Sequence, residues 1–183
     1  MTEVEKLVDQ KKWALARKSI QDELLVSPTD HWLWMTMSLT YYEQRQYEKA
    51  LECAKRAVEL QSDCPLALWH LAGSYYMCGR EEAALSLWTI LLDMDVEKVA
   101  YGECGEGMDW ALQLLNDVQY RIGRYYQHKG DWKSARKSFE KYLHNRRHGV
   151  GSTYDRKAAE EYLALAEHAG EETKTPVGSA EKS

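Results

Sequence analysis

Residues 31–64 read HWLWMTMSLTYYEQRQYEKALECAKRAVELQSDC, and the stretch that follows repeats their pattern. Trp34, Met37, Ser38, Tyr41, Ala50, Ala54 and Ala57 are matched 34 residues later by Leu68, Leu71, Ala72, Tyr75, Ala84, Trp88 and Leu91. Self-similarity at a fixed period of this size marks an architecture of stacked, similar units. Counting back by 34 from Ala50 and Ala54 gives Ala16 and Ile20, with Pro28 at the end of that unit. The register then slips and resumes at residue 116 with Ile122, Gly123, Tyr126, Ala135, Phe139 and Tyr142.

Within a unit the period is helical. In QYEKALECAKRAVEL, Tyr47, Ala50, Leu51, Ala54, Ala57, Val58 and Leu60 share one broad face, with Glu48, Lys49, Glu52, Lys55 and Arg56 mostly opposite. Polar or glycine pairs separate the helices of each unit: Lys11-Lys12, Arg45-Gln46, Gly79-Arg80 and Gly130-Asp131. Small residues recur at one place on the first helices (Ser38, Ala72, Gly123) and at one on the second (Ala16, Ala50, Ala84, Ala135). A larger side chain where two helices touch forces them apart, at a cost of roughly 1–3 kcal/mol.

This pattern resembles the tetratricopeptide repeat, Trp-x2-Leu-Gly-x2-Tyr followed by Ala-x3-Phe and a terminal Pro. The likeness spans nearly all of residues 1–149. It implies an all-α fold: a solenoid or superhelix of about four helical hairpins with a C-terminal capping helix. The expected units are 1–30, 31–64, 65–98 and 116–149, with an insertion at 99–115 and a capping helix over 150–170. In that cap, Ala158, Ala159, Tyr162, Leu163, Leu165 and Ala166 form an apolar face. Residues 171–183, EETKTPVGSAEKS, lack a hydrophobic pattern and are expected to be disordered. The chain departs from the family in three places. The first unit begins partway into its frame, only Pro28 fills the terminal proline slot, and Ser62 and Val96 replace it later.

The insertion opens with VAYGECGEG, which has three glycines and no helical period. DWALQLLND then runs without a breaker into the fourth unit, so Asp109 is expected to cap a long helix reaching about His128. Tyr101 and Cys104 mark the insertion as a lid or contact loop, because long loops in compact domains often carry function.

Charge and chemistry narrow the function classes. Lys and Arg number 24 against 29 Asp and Glu, a net charge of −5. Residues 121–157 nevertheless carry +8, leaving −13 on the remainder. That basic edge, with Lys133, Arg136, Lys137, Lys141, Arg146 and Arg147, has no interleaved aromatics for stacking bases, so nucleic acid is a poor fit. Four sparse cysteines, Cys53, Cys64, Cys78 and Cys104, suit a reduced, cytoplasmic chain. No apolar run approaches the about 20 residues a bilayer requires. The opening MTEVEKLVDQKK has no apolar signal core. No phosphate loop, dinucleotide fingerprint, His-Glu-x-x-His or nucleophile elbow occurs. An enzyme is therefore not expected, and neither is a cofactor or metal. Cys104 beside its glycines is the one candidate reactive thiol. His144 and His148, four apart, are the only histidines at helical ligand spacing.

The resemblance also implies a binding surface. In such arrays the first helices line a concave groove through repeat positions two, five, nine and twelve. Here these are Trp32, Met35, Leu39 and Tyr42; Leu66, Trp69, Gly73 and Tyr76; and Asp117, Tyr120, Arg124 and Gln127, with Arg121 beside them. Apolar anchors in the first two sets, and the guanidinium forks of Arg121 and Arg124 in the last, suit a protein segment with apolar side chains and an acidic group. The expected function is a protein-binding adaptor, assembly factor or chaperone. The alternative is a self-associating scaffold whose groove is covered by a second copy. The clamp that some family members use for carboxylates is poorly matched, since its slots hold Met35, Leu39, His70, Asp117 and Arg121. A groove filled by the N-terminal helix or the insertion would make its lining part of the core.

Overall fold

Four turns carry the repeat into the backbone. Lys11, Arg45 and Gly79 stand 34 residues apart and adopt φ of 55°, 58° and 72°; Gly130 repeats the conformation at 74°. Each lies between the two helices of a hairpin, where a left-handed residue reverses the chain. The computed structural model describes residues 2–172, which form an all-α chain of ten helices among the described residues. None of these helices is long and apolar enough to cross a membrane. The chain divides into two compact units, one ending at Glu106 and one beginning at Gly107.

The first unit contains α1 (Glu3–Asp9), α2 (Trp13–Leu24), α3 (His31–Glu43), α4 (Tyr47–Leu60), α5 (Pro65–Met77), α6 (Glu81–Asp93) and α7 (Val96–Tyr101). Helix starts follow the chemistry of orphan amides. Thr2 and Glu5 form a reciprocal capping box on α1, Asp30 accepts from the Trp32 and Leu33 amides, and Pro65 opens α5. Consecutive helices from α1 to α6 pack as antiparallel neighbours, and α3 also meets α5. Ala16, Ala50 and Ala84 are 0% exposed, each where a second helix meets its hairpin partner. Ser38 Oγ donates to the Ala50 carbonyl at 2.8 Å, so the small residue also satisfies its own hydroxyl. Val4, Ile20, Leu33 and Met37 fill the space among the first three helices.

The second unit contains α8 (Met108–His128), α9 (Trp132–Arg147) and α10 (Arg156–Glu172). Helix α9 packs on both others. Ala135 is 0% exposed, and Phe139 lies against Gly123 so closely that a Cβ there would sit 2.8 Å from its ring. Phe139, Tyr142 and Leu143 of α9 join Ala159 and Ala166 of α10 in the core.

Three boundaries differ from expectation. The insertion begins as helix α7, with Val99 and Ala100 buried, because the Asp95 carboxylate caps it through the Lys98 amide. Helix α8 is long as predicted, but its cap is Gly107 at φ 100°, and Asp109 lies inside the first turn. There the carboxylate favours the helix through the dipole instead of through a cap. Helix α10 continues to Glu172; the rest of the tail expected to be disordered, 173–183, lies outside the described residues.

Candidate functional site

The inner-face residues of α3 and α5 form one candidate surface within the first unit. Trp32, Leu39 and Tyr42 on α3, and Leu66, Trp69 and Tyr76 on α5, are each half-buried. Tyr42 meets Tyr47 edge-on at 5.3 Å, and its ring lies over Gly73, where an added Cβ would be 3.7 Å away. Tyr76 tilts against Trp88 at 5.5 Å. The rings are thus held from behind and keep part of their surface open. Met35 is different. It is 5% exposed and packs with Ala57, Cys64 and Ala67, with Cys104 against the same cluster. Met35 belongs to the core, because α4 and the start of α5 pack around it through Ala57, Cys64 and Ala67.

The equivalent face of the fourth repeat, in the second unit, is filled by the chain itself. Tyr154 and Tyr162 lie on it. Arg121 Nε donates to the Tyr154 hydroxyl at 2.5 Å, and Arg124 Nη1 to the Tyr162 hydroxyl at 2.7 Å. The Arg124 guanidinium also sits 4.2 Å from the Tyr162 ring centroid. Tyr120, 8% exposed, stacks under Tyr154, and burial pushes its phenol above the usual tyrosine range. Asp117, buried beside them, accepts from the Ser152 and Thr153 hydroxyls and from the Thr153 amide. The acidic group expected to meet Arg121 and Arg124 therefore has tyrosine hydroxyls in its place. Residues 152–154 and α10, which supply them, follow the repeats and share none of their spacing.

A third constellation joins residues that the sequence keeps apart. His31 opens α3, Cys64 is the N-cap of α5, and Cys104 follows α7. His31 Nε2 lies 3.1 Å from Cys104 Sγ, and the ligand atoms of all three residues fall within 4.8 Å of one another. Gly105 allows this approach, because a Cβ there would overlap the Ala100 carbonyl. Burial, then a hydrogen bond and charge interaction with Cys64, hold the Cys104 thiol well above the ordinary cysteine range. That is the reverse of what a nucleophilic thiolate requires. Beside it lies a cavity of about 100 Å³ lined by Gln61, Asp63, Cys64, Lys98, Glu103 and Cys104.

Tyr101 is 69% exposed at the end of α7. The His144 and His148 rings lie tilted against each other at 4.2 Å, but His148 Nδ1 is engaged with the His144 carbonyl at 2.8 Å. On the basic edge, Arg136 pairs with Glu140 and Arg146 bonds the Val150 carbonyl.

With this geometry in view, the comparisons with known proteins are consistent. Family models described as tetratricopeptide repeats match residues 35–89 and 117–146, which fall on α3–α6 and on α8–α9. No curated protein matches the sequence significantly. Among solved structures, a crystal structure of MamA aligns at a TM-score of 0.60 and 17% identity, over 94% of this chain and 97% of that one. Nearly identical tetratricopeptide-like repeats of a kinesin-light-chain-type protein from Podospora anserina align at 0.61 and 16% identity, over 94% and 90%. At such identities the likeness carries the fold alone. The repeated turns, the buried alanines and the matched segments together show that the chain carries tetratricopeptide repeats, a class of protein–protein interaction module.

Proposed function

We propose that the first unit binds an extended or helical segment of another protein on the inner face of α3 and α5. The chain would act as a cytoplasmic adaptor, assembly factor or chaperone. The observation that carries this reading is the row of half-buried Trp32, Leu39, Tyr42, Trp69 and Tyr76 on two adjacent helices. Rings braced by Tyr47 and Trp88 lose little rotamer freedom when a guest covers them, which is how aromatic anchors concentrate binding energy. The partner segment is apolar, carrying leucine or aromatic anchors at spacings that fit between α3 and α5. A carboxylate on the partner would reach Arg121 and Arg124 only by displacing Tyr154 and Tyr162.

Display of a random peptide library against the full chain, with Trp69→Ala/Tyr76→Ala beside it, tests the reading. The wild type selects peptides with paired apolar anchors, and the variant binds them about thirtyfold more weakly, the loss expected for truncating a strong anchor. Equal affinity for both proteins removes the groove from the explanation. Light scattering over a dilution series separates the alternative. A dimer that persists on dilution and is dissolved by the same two substitutions assigns this face to a second copy.

A further inference from the structure

We propose that His31, Cys64 and Cys104 bind one zinc ion, which ties the segment after α7 to the starts of α3 and α5. A thiol–imidazole hydrogen bond accounts for His31 and Cys104 as a pair. The Cys64 thiol, which also interacts with Cys104, brings a second sulfur to the same point. Among the described residues this is the one group of three or more His, Cys, Asp or Glu side chains whose ligand atoms converge. Two sulfurs and one imidazole nitrogen form a donor set that zinc accepts, with Zn–S near 2.3 Å and Zn–N near 2.0–2.1 Å. In a tetrahedral site those bond lengths place donor atoms roughly 3.5 Å apart. The present separations, 3.1 Å for one pair and at most 4.8 Å for the others, bracket that spacing, so small side-chain adjustments bring the three donors onto one ion.

The fourth coordination position has somewhere to point. The adjoining cavity of about 100 Å³ has room for water, and the Glu103 and Asp63 carboxylates line it. Asp63 is paired with Lys98 at 3.1 Å, and Glu103 accepts from Gln61 at 3.0 Å. Both acids are thus oriented around the opening, and a water or Glu103 can complete four ligands. A mixed set of thiolate and imidazole with oxygen donors nearby suits zinc, whereas cuprous copper is selected by soft thiolate and thioether sulfur. The physical consequence is a clamp. Three chain positions, 31, 64 and 104, are joined at one point, and the lid-like segment around Glu103 and Gly105 becomes fixed against the first unit.

The test uses the full chain, reduced and stripped with a chelator, then titrated with zinc against a chromophoric competitor. About one equivalent per chain should bind with submicromolar affinity. Cobalt substituted for zinc should give the intense near-ultraviolet thiolate charge-transfer bands and the visible spectrum of a tetrahedral ion. Cys104→Ser, at a half-exposed position, and His31→Ala should each weaken zinc by at least about tenfold, while Cys78→Ser should not. The cobalt spectrum is read on the wild-type chain, so it reports on the ligands even if a variant misfolds. Substoichiometric zinc binding, a cobalt spectrum without thiolate bands, or equal zinc affinity in wild type and Cys104→Ser would each overturn the site. Tighter retention of cuprous copper than of zinc would overturn the assignment of the ion.

Discussion

Tyr154 lies flat on Tyr120, with ring centroids 4.2 Å apart and planes 8° from parallel. Tyr120 comes from the fourth repeat, Tyr154 from the chain that follows it, and the stack closes the inner face of the second unit. Tyr142 reinforces the join by donating to the Tyr154 carbonyl at 2.8 Å. Tyr154→Ala should destabilise the chain by about 2–4 kcal/mol, since it removes a large ring and leaves Tyr120 without its cover. Tyr154→Phe keeps the stack and loses the bond from Arg121, at a cost of about 1 kcal/mol. Urea unfolding of the full chain measures both. A Tyr154→Ala variant within about 0.5 kcal/mol of wild type, the range of an ordinary surface change, would contradict this account.

Gly123 sets how near α8 and α9 approach. An added Cβ would sit 2.8–3.0 Å from three ring atoms of Phe139, which is itself fully buried. Two effects oppose each other in Gly123→Ala. Helix propensity favours alanine by about 1 kcal/mol, whereas overpacking against a fixed ring costs about 1–3 kcal/mol. The clash should win, giving net destabilisation. Phe139→Leu introduced with it should recover part of the loss, so a double-mutant cycle should show coupling above about 0.5 kcal/mol. Additive losses would mean that the two residues do not meet as described.

Arg45 and Gly79 occupy the same turn in successive hairpins, at φ 58° and 72°. A side chain in that conformation costs roughly 1–2 kcal/mol. Glycine avoids that cost but loses more chain entropy on folding, by roughly 0.4–1 kcal/mol. Arg45→Gly should therefore raise stability slightly, by about 0.5 kcal/mol. Gly79→Ala should lower it by about 1 kcal/mol, although nothing lies within 4 Å of the Cβ it would add. Midpoints of thermal unfolding moving in opposite directions would support the shared conformation; both moving the same way would not.

The repeat was legible because packing demands it. Ala16, Ala50, Ala84 and Ala135 can be read from spacing, since a close helix crossing excludes larger residues wherever it recurs. The turns at Lys11, Arg45, Gly79 and Gly130 follow the same arithmetic. What covers each inner face does not. Tyr154 and Tyr162 satisfy Arg121 and Arg124 from a segment with no repeat to match. Cys104 reaches the cluster around Met35 from a glycine-rich stretch that passes close to the Ala100 carbonyl at Gly105. His31 and Cys64 lie almost one period apart, at the starts of α3 and α5, so stacked repeats make them neighbours. Cys104 completes the group only through the fold of the insertion, which explains why spacing along the chain gave no ligand motif.

His70 on α5 provides a pH-dependent component of stability. Burial lowers it from the ordinary histidine value of 6.5 to about 4. The unfolded chain takes up a proton below pH 6.5 that the folded chain refuses until pH nears 4, so between those values the unfolded state binds more protons. Stability therefore rises with pH through that window. The contribution is complete above pH 6.5 and is lost as the pH falls toward 4. A shift of this size corresponds to roughly 3 to 3.5 kcal/mol. Asp63 and Asp131, both held below the ordinary aspartate value of 3.8 by their hydrogen-bond partners Lys98 and Ser134, add their loss only in more acidic solution. The two windows are thus separable. Denaturant unfolding at half-unit steps from pH 7.5 to 4 should show the decline in the wild type and a flatter profile in His70→Leu. Parallel profiles would mean that His70 accepts its proton in the folded chain as readily as in the unfolded one, and its burial would carry no pH dependence.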